Sequence, residues 1–173
     1  MKQKNQNPKQ YFKILNSEEK SEILKLLEKQ FGITQLQGSL IKKGAERIFL
    51  YTGTLTEKQI FRLEKRINIE RLGVYFGKII ENKKTQTKEI RLSIEGTQLL
   101  KEKVKKNIYN IPDNETLEKW MKGQELNFED DHGLRGFVFI KYNEEFLGTG
   151  KASEKKISNF IPKNRRLKDK EIY

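Results

Sequence analysis

The chain has 173 residues, no cysteine and a formal net charge of +12, with 36 lysines and arginines against 24 acidic residues. That composition excludes disulfide frameworks, zinc ribbons and thiolate catalysis, and apolar runs such as 48–51 are far too short to cross a bilayer. Base exceeds acid, whereas the lysine-rich surface of a heat-adapted protein raises lysine and glutamate together, so the balance points to a polyanionic partner such as nucleic acid or an anionic membrane.

In chain order, residues 1–10 are polar and expected to fray, and with no apolar core they form no secretory signal, which implies a soluble, cytoplasmic protein. Asn16 or Ser17 then caps a helix with Glu19 completing the box; Ile23, Leu24, Leu26, Leu27 and Phe31 give it an apolar face and Gly32 ends it. Residues 39–52 read as two strands around a turn at Gly44, and 54–66 as a second helix capped by Thr54 or Thr56. Two further strands flank the polar turn Asn82-Lys83-Lys84-Thr85, and 95–107 reads as a helix with Leu99, Leu100 and Val104 inward. After Pro112 comes a short helix, 114–123, and then brief strands at 136–142, 145–153 and 155–162. The fold class is therefore α+β: an N-terminal α+β domain over 1–100, followed by a small β-barrel domain over 101–173.

Charge is unevenly spread. Residues 113–131 carry seven acids and two lysines, whereas 151–173 carry eight bases and three acids, so the positive field is localised. Within the basic stretch, Gly148-Thr149-Gly150-Lys151 resembles half of a phosphate-binding loop. The full motif needs glycine where Glu145 stands and a hydroxyl where Ala152 stands, so that reading fails. Glycines at alternate strand positions strip one face of side chains. The result is either a bulge with close strand packing or room for a nucleic-acid strand beside Lys151.

Other chemistry is scarce. His132 is the single histidine and sits in an acidic turn, and no catalytic or metal-ligating set emerges. Phe137, Phe139 and Tyr142 read as barrel core by alternation. Phe160 either packs in the core or stacks on an unpaired base. Lys163, Arg165 and Arg166 cluster after Pro162 with no obvious acidic partner nearby. The candidate RNA-binding residues are Gly148, Gly150, Lys151, Lys155, Lys156, Phe160, Lys163, Arg165 and Arg166, with no cofactor and no metal.

The ordered residues Trp120, Gly123, Gly136, Phe137, Tyr142, Leu147, Gly148, Gly150, Lys151, Asn159, Pro162, Lys163 and Arg166 resemble the C-terminal PUA-like module of some Sun-type RNA 5-methylcytosine methyltransferases. Leu72, Gly73, Phe76, Gly77, Lys78, Arg91 and Leu92 are similar to the join in two-domain Nip-type ribosome-biogenesis factors, where an α+β domain precedes a PUA domain. The resemblance implies RNA binding through the C-terminal barrel, with an rRNA precursor or tRNA as partner. It implies association with ribosome-assembly factors or, alternatively, service as an accessory subunit to an RNA methyltransferase. It does not import methyl transfer, which in those enzymes needs cysteine nucleophiles and a glycine-rich cofactor domain. DNA is disfavoured because no helix-turn-helix with a basic recognition helix is evident.

Overall fold

A computed structural model describes residues 11–82 and 86–168. Residues 1–10, the segment 83–85 on which the expected polar turn falls, and residues 169–173 lie outside the described residues. The elements run β1 (Phe12–Ile14), α1 (Ser17–Phe31), β2 (Ser39–Lys43), β3 (Arg47–Tyr51), α2 (Glu57–Arg66), β4 (Val74–Asn82), β5 (Thr87–Leu92), α3 (Ile94–Leu100), β6 (Ile108–Asn110), α4 (Asn114–Met121), β7 (Leu126–Asn127), β8 (Gly136–Tyr142), β9 (Glu145–Ser153) and β10 (Lys156–Asn159). A single 3-10 turn, Lys163–Arg165, follows. No helix among the described residues is long and apolar enough to cross a membrane.

The first helices form where the sequence places their caps. The Asn16 side chain accepts from the backbone N–H of Glu19 at 2.9 Å, and the Glu19 carboxylate accepts from the N–H of Asn16 at 3.1 Å. This reciprocal box satisfies two otherwise orphaned donors. At the other end Gly32 adopts φ 71°, a left-handed conformation that costs glycine little, and its N–H reaches the Glu28 carbonyl at 2.9 Å. Thr56 and Gln59 repeat the capping box on α2.

Among the described residues two five-stranded sheets result, ordered β1-β2-β3-β4-β5 and β6-β8-β9-β10-β7. The first is antiparallel throughout. The second is curled into a half-barrel in the C-terminal region, and its β6 pairs with β8 in parallel. The first sheet has two unlike faces. Leu40, Ile48, Leu50, Phe76, Ile90 and Leu92 point to one side and bury against α1. Ile41, Phe49 and Phe12 point to the other and are covered at one end by Ile60 of α2.

The second sheet alternates in the same way, and here the expected core assignment is corrected. Phe137 and Phe139 do not fill the half-barrel. They turn outward into the core shared with α1, where the Phe31 and Phe139 rings meet edge-on at 4.9 Å. The half-barrel is filled by Val138, Ile140, Ile157 and Leu126 around the fully buried Trp120. Tyr142 is half-buried at the edge of that cluster. Period-2 patterning finds both faces of β8, but a strand apolar on each side does not say which face meets which neighbour.

The expected helix over 95–107 is shorter. It ends at Leu100, and Leu99 is 48% exposed rather than inward. The chain leaves the helix because the C-terminus of α1 captures it: the N–H groups of Lys105 and Lys106 donate to the Phe31 carbonyl at 2.9 and 3.3 Å, and Asn107 Nδ2 donates to the Gln30 carbonyl at 2.7 Å. Carbonyls at a helix end have no partner within the helix, so pairing with the end of α1 outcompetes continuation of α3 into the lysine-rich segment that follows it. The last strand is also shorter than 155–162, since its pairing stops at Asn159.

Candidate nucleic-acid interface

Seven of the nine predicted site residues divide into three groups, and Arg166 and Phe160 stand apart from them. Gly148 and Gly150 face different surroundings instead of opening one face. Leu147 and Gly148 together oppose Ile140, so β9 bulges between Phe146 and Thr149 and the alternation breaks. Gly148 has φ 112°, a conformation that strains any residue with a Cβ, and a Cβ there would lie 3.2 Å from Ile94. A Cβ on Gly150 would overlap Ile157 and lie 3.0 Å from Trp120. The space freed at Gly150 is taken by protein side chains, so close packing is the role its position supports.

A second group of cations is held by acidic residues that lie far away in sequence. Lys151 Nζ is 2.7 Å from Glu89, Lys156 Nζ is 3.1 Å from Glu125, and Arg165 Nη2 is 2.5 Å from Glu95. The expectation that the tail cations stand without acidic partners is thus corrected for Arg165. Hydrogen bonds from Lys156 and Ser158 hold the Glu125 carboxyl below its ordinary pKa, so that pair stays charged. Arg166 lies over Gly123 and donates from Nε to the Ile161 carbonyl at 3.0 Å, a bond that fixes the turn. The third group, Lys155 and Lys163, is exposed and makes no ion pair among the described residues.

Phe160 is half-buried, with the Arg91 guanidinium 4.6 Å from its ring centroid and the Phe137 ring at 5.9 Å. It forms part of the wall of a cleft of about 710 Å³ between the two sheets. On the N-terminal side this cleft is lined by Arg47, Arg71, Tyr75, Lys78 and Arg91, and on the C-terminal side by Leu147, Gly148, Thr149 and Phe160.

The cations of the N-terminal wall follow from strand register. Lys43 pairs with Arg47, Arg47 with Lys78, and Lys78 with Arg91, so four basic residues cross β2, β3, β4 and β5 in one row. Directly opposed residues project to the same face, and like charges so placed repel. Only partial compensation is present. Glu46 reaches Lys78 at 3.4 Å. Lys43 donates to the carbonyls of Ile69 and Glu70 at 2.9 and 3.0 Å, pinning the loop that carries Arg71. Arg47, Arg71 and Arg91 make no ion pair among the described residues. Tyr75 stands among them: burial raises its phenol pKa, while Arg91 and Arg47 pull it down.

The join between the sheets is well tied. Thr149 Oγ1 donates to the Leu92 carbonyl at 2.9 Å, and Gln98 Nε2 donates to the Phe146 carbonyl. With Lys151–Glu89 and Arg165–Glu95 these bonds fix the two cleft walls against each other. Sequence reasoning missed the N-terminal wall, because strand register across three strand pairings, one of them between strands separated by α2, is set by turn geometry and burial rather than by local pattern. Regular Lys43–Arg47 spacing around the Gly44 turn was a signal that could have exposed its first rung.

Fold and cleft together define an α+β protein whose curled C-terminal sheet adjoins a cation-rich cleft. Residues 110–167 match the family model described as the methyltransferase RsmF PUA domain, which covers the half-barrel from the last residue of β6 to the closing 3-10 turn. A PUA domain points to RNA as the partner. No match was found among the curated proteins.

Proposed function

We propose that the chain is a non-catalytic RNA-binding protein acting in ribosome biogenesis or in rRNA or tRNA modification, with residues 1–100 serving as a domain that precedes and supports the PUA-like domain over 101–173. The observation that carries this reading is the PUA match over a half-barrel whose exposed basic residues include Lys155 and Lys163. Such cations neutralise phosphates and release counterions, which gives affinity without demanding a particular sequence. His132 supports a non-catalytic role: its ring packs 4.5 Å from Phe128, and its Nδ1 accepts from the Leu134 N–H at 3.3 Å.

Crosslinking the protein to RNA in cells and sequencing the attached RNA tests the assignment. Enrichment of rRNA precursors or of tRNA is expected, and recovery of no RNA above background contradicts it. Co-purification with an RNA methyltransferase lacking its own PUA module, without ribosomal precursors, would favour the accessory-subunit role instead.

A further inference from the structure

The basic row lies outside the family match, on a sheet to which no binding role attaches. Two facts make it more than a solvated face. First, charges that merely solubilise a surface gain nothing from being opposed rung by rung, and this arrangement costs stability unless an anion sits on it. Second, the row does not end in open solvent. At its last rung the Arg91 guanidinium lies over the Phe160 ring, 4.6 Å from its centroid, and Tyr75 also lines the cleft wall. The row spans three inter-strand gaps of about 4.8 Å each, or roughly 14 Å, which is the reach of a short run of backbone phosphates.

The cleft narrows the class of ligand. Its volume of about 710 Å³ is that of a small-molecule site, enough for one or two nucleotides and too little for a helix. Cations that meet phosphates, next to aromatic and guanidinium planes that meet bases, are what unpaired RNA requires. A lipid headgroup would use the cations but leave Tyr75 and Phe160 without a role.

We propose that single-stranded RNA crosses the N-terminal sheet along Arg47, Lys78 and Arg91, with Arg71 closing on the backbone from the side, and lays an unpaired nucleotide into the cleft against Tyr75 and the Arg91–Phe160 pair. This rests on the RNA-binding reading above and adds a second, N-terminal half to the interface. The RNA path then runs from the first sheet across the cleft to Lys163.

The test measures binding of a short fluorescein-labelled oligouridine to the full chain across a range of salt. Variants are Arg47→Gln/Arg71→Gln, Arg47→Lys/Arg71→Lys and Lys155→Gln/Lys163→Gln. Both arginines are exposed, so the fold should tolerate their replacement, and thermal melts check it. The glutamine pair should flatten the log–log salt slope by about 1.4, or about 0.7 for each lost single-strand contact, while the lysine pair keeps the slope. An unchanged slope in Arg47→Gln/Arg71→Gln, beside a flattened one in Lys155→Gln/Lys163→Gln, overturns the N-terminal path and leaves RNA binding standing. Absence of RNA binding by the wild type, or its binding phosphatidylserine vesicles instead, overturns both. A readout free of substitutions is photocrosslinking of 4-thiouridine RNA to the wild type. Adducts on peptides containing Tyr75 support the path, and adducts confined to residues 151–168 refute it.

Discussion

Gly150 illustrates how one residue type carries two opposite meanings. In sequence it is a strand glycine next to a lysine, which suits either a close ligand or a close side chain. In the folded chain the indole of Trp120 and the Ile157 side chain fill the space its missing Cβ leaves. Gly150→Ala should therefore destabilise the protein by about 1–3 kcal/mol, the usual cost of overpacking, and urea denaturation measures it. Stability equal to wild type would mean that β9 can shift to admit the methyl, contrary to the packing described. The same ambiguity affects the cations. Lys151 and Arg165 are as basic as Lys163, yet each already faces a carboxylate, Glu89 of β5 and Glu95 of α3 respectively. Such partners lie 62 and 70 positions away, beyond any local reading of charge.

At the scale of elements, the sequence is most legible where the signals are local. Asn16 with Glu19 and Thr56 with Gln59 start their helices by contacts three residues apart, and Gly32 stops α1 by its own backbone freedom. The signals fail where one element is decided by another. Nothing within 95–107 announces that the end of α1 will take the N–H groups of Lys105 and Lys106, nor that Phe137 and Phe139 will leave the half-barrel for α1. The basic row is of this second kind, because it exists only once β3, β4 and β5 are in register. It also makes an energetic prediction. Removing the central charge with Arg47→Gln should raise stability by roughly 0.2–1 kcal/mol for each like-charge opposition relieved, while weakening RNA binding. Denaturation that shows Arg47→Gln destabilised would contradict the idea that this strand pairing is held under electrostatic tension.

For the whole molecule, the two sheets act as the walls of one surface. The core that buries Phe31, Phe76 and Leu92 also buries Phe137, Phe139 and Phe146, so the half-barrel and the first sheet share apolar contacts as well as the Thr149 and Gln98 hydrogen bonds. That shared core fixes the relative position of the row and of the exposed lysines beyond the cleft. The likeness of the C-terminal third to a PUA domain was legible because its small and aromatic residues occur in a distinctive order. The surface that the N-terminal sheet contributes was not, since it arises from packing between distant segments. The central claim is that this chain binds RNA through its phosphates, and the most direct test is the affinity of the wild-type chain for RNA as a function of salt. The account predicts measurable binding at low salt and a log–log slope of at least about −2, corresponding to three or more single-strand phosphate contacts. No binding at low salt, or an affinity indifferent to salt, would contradict it.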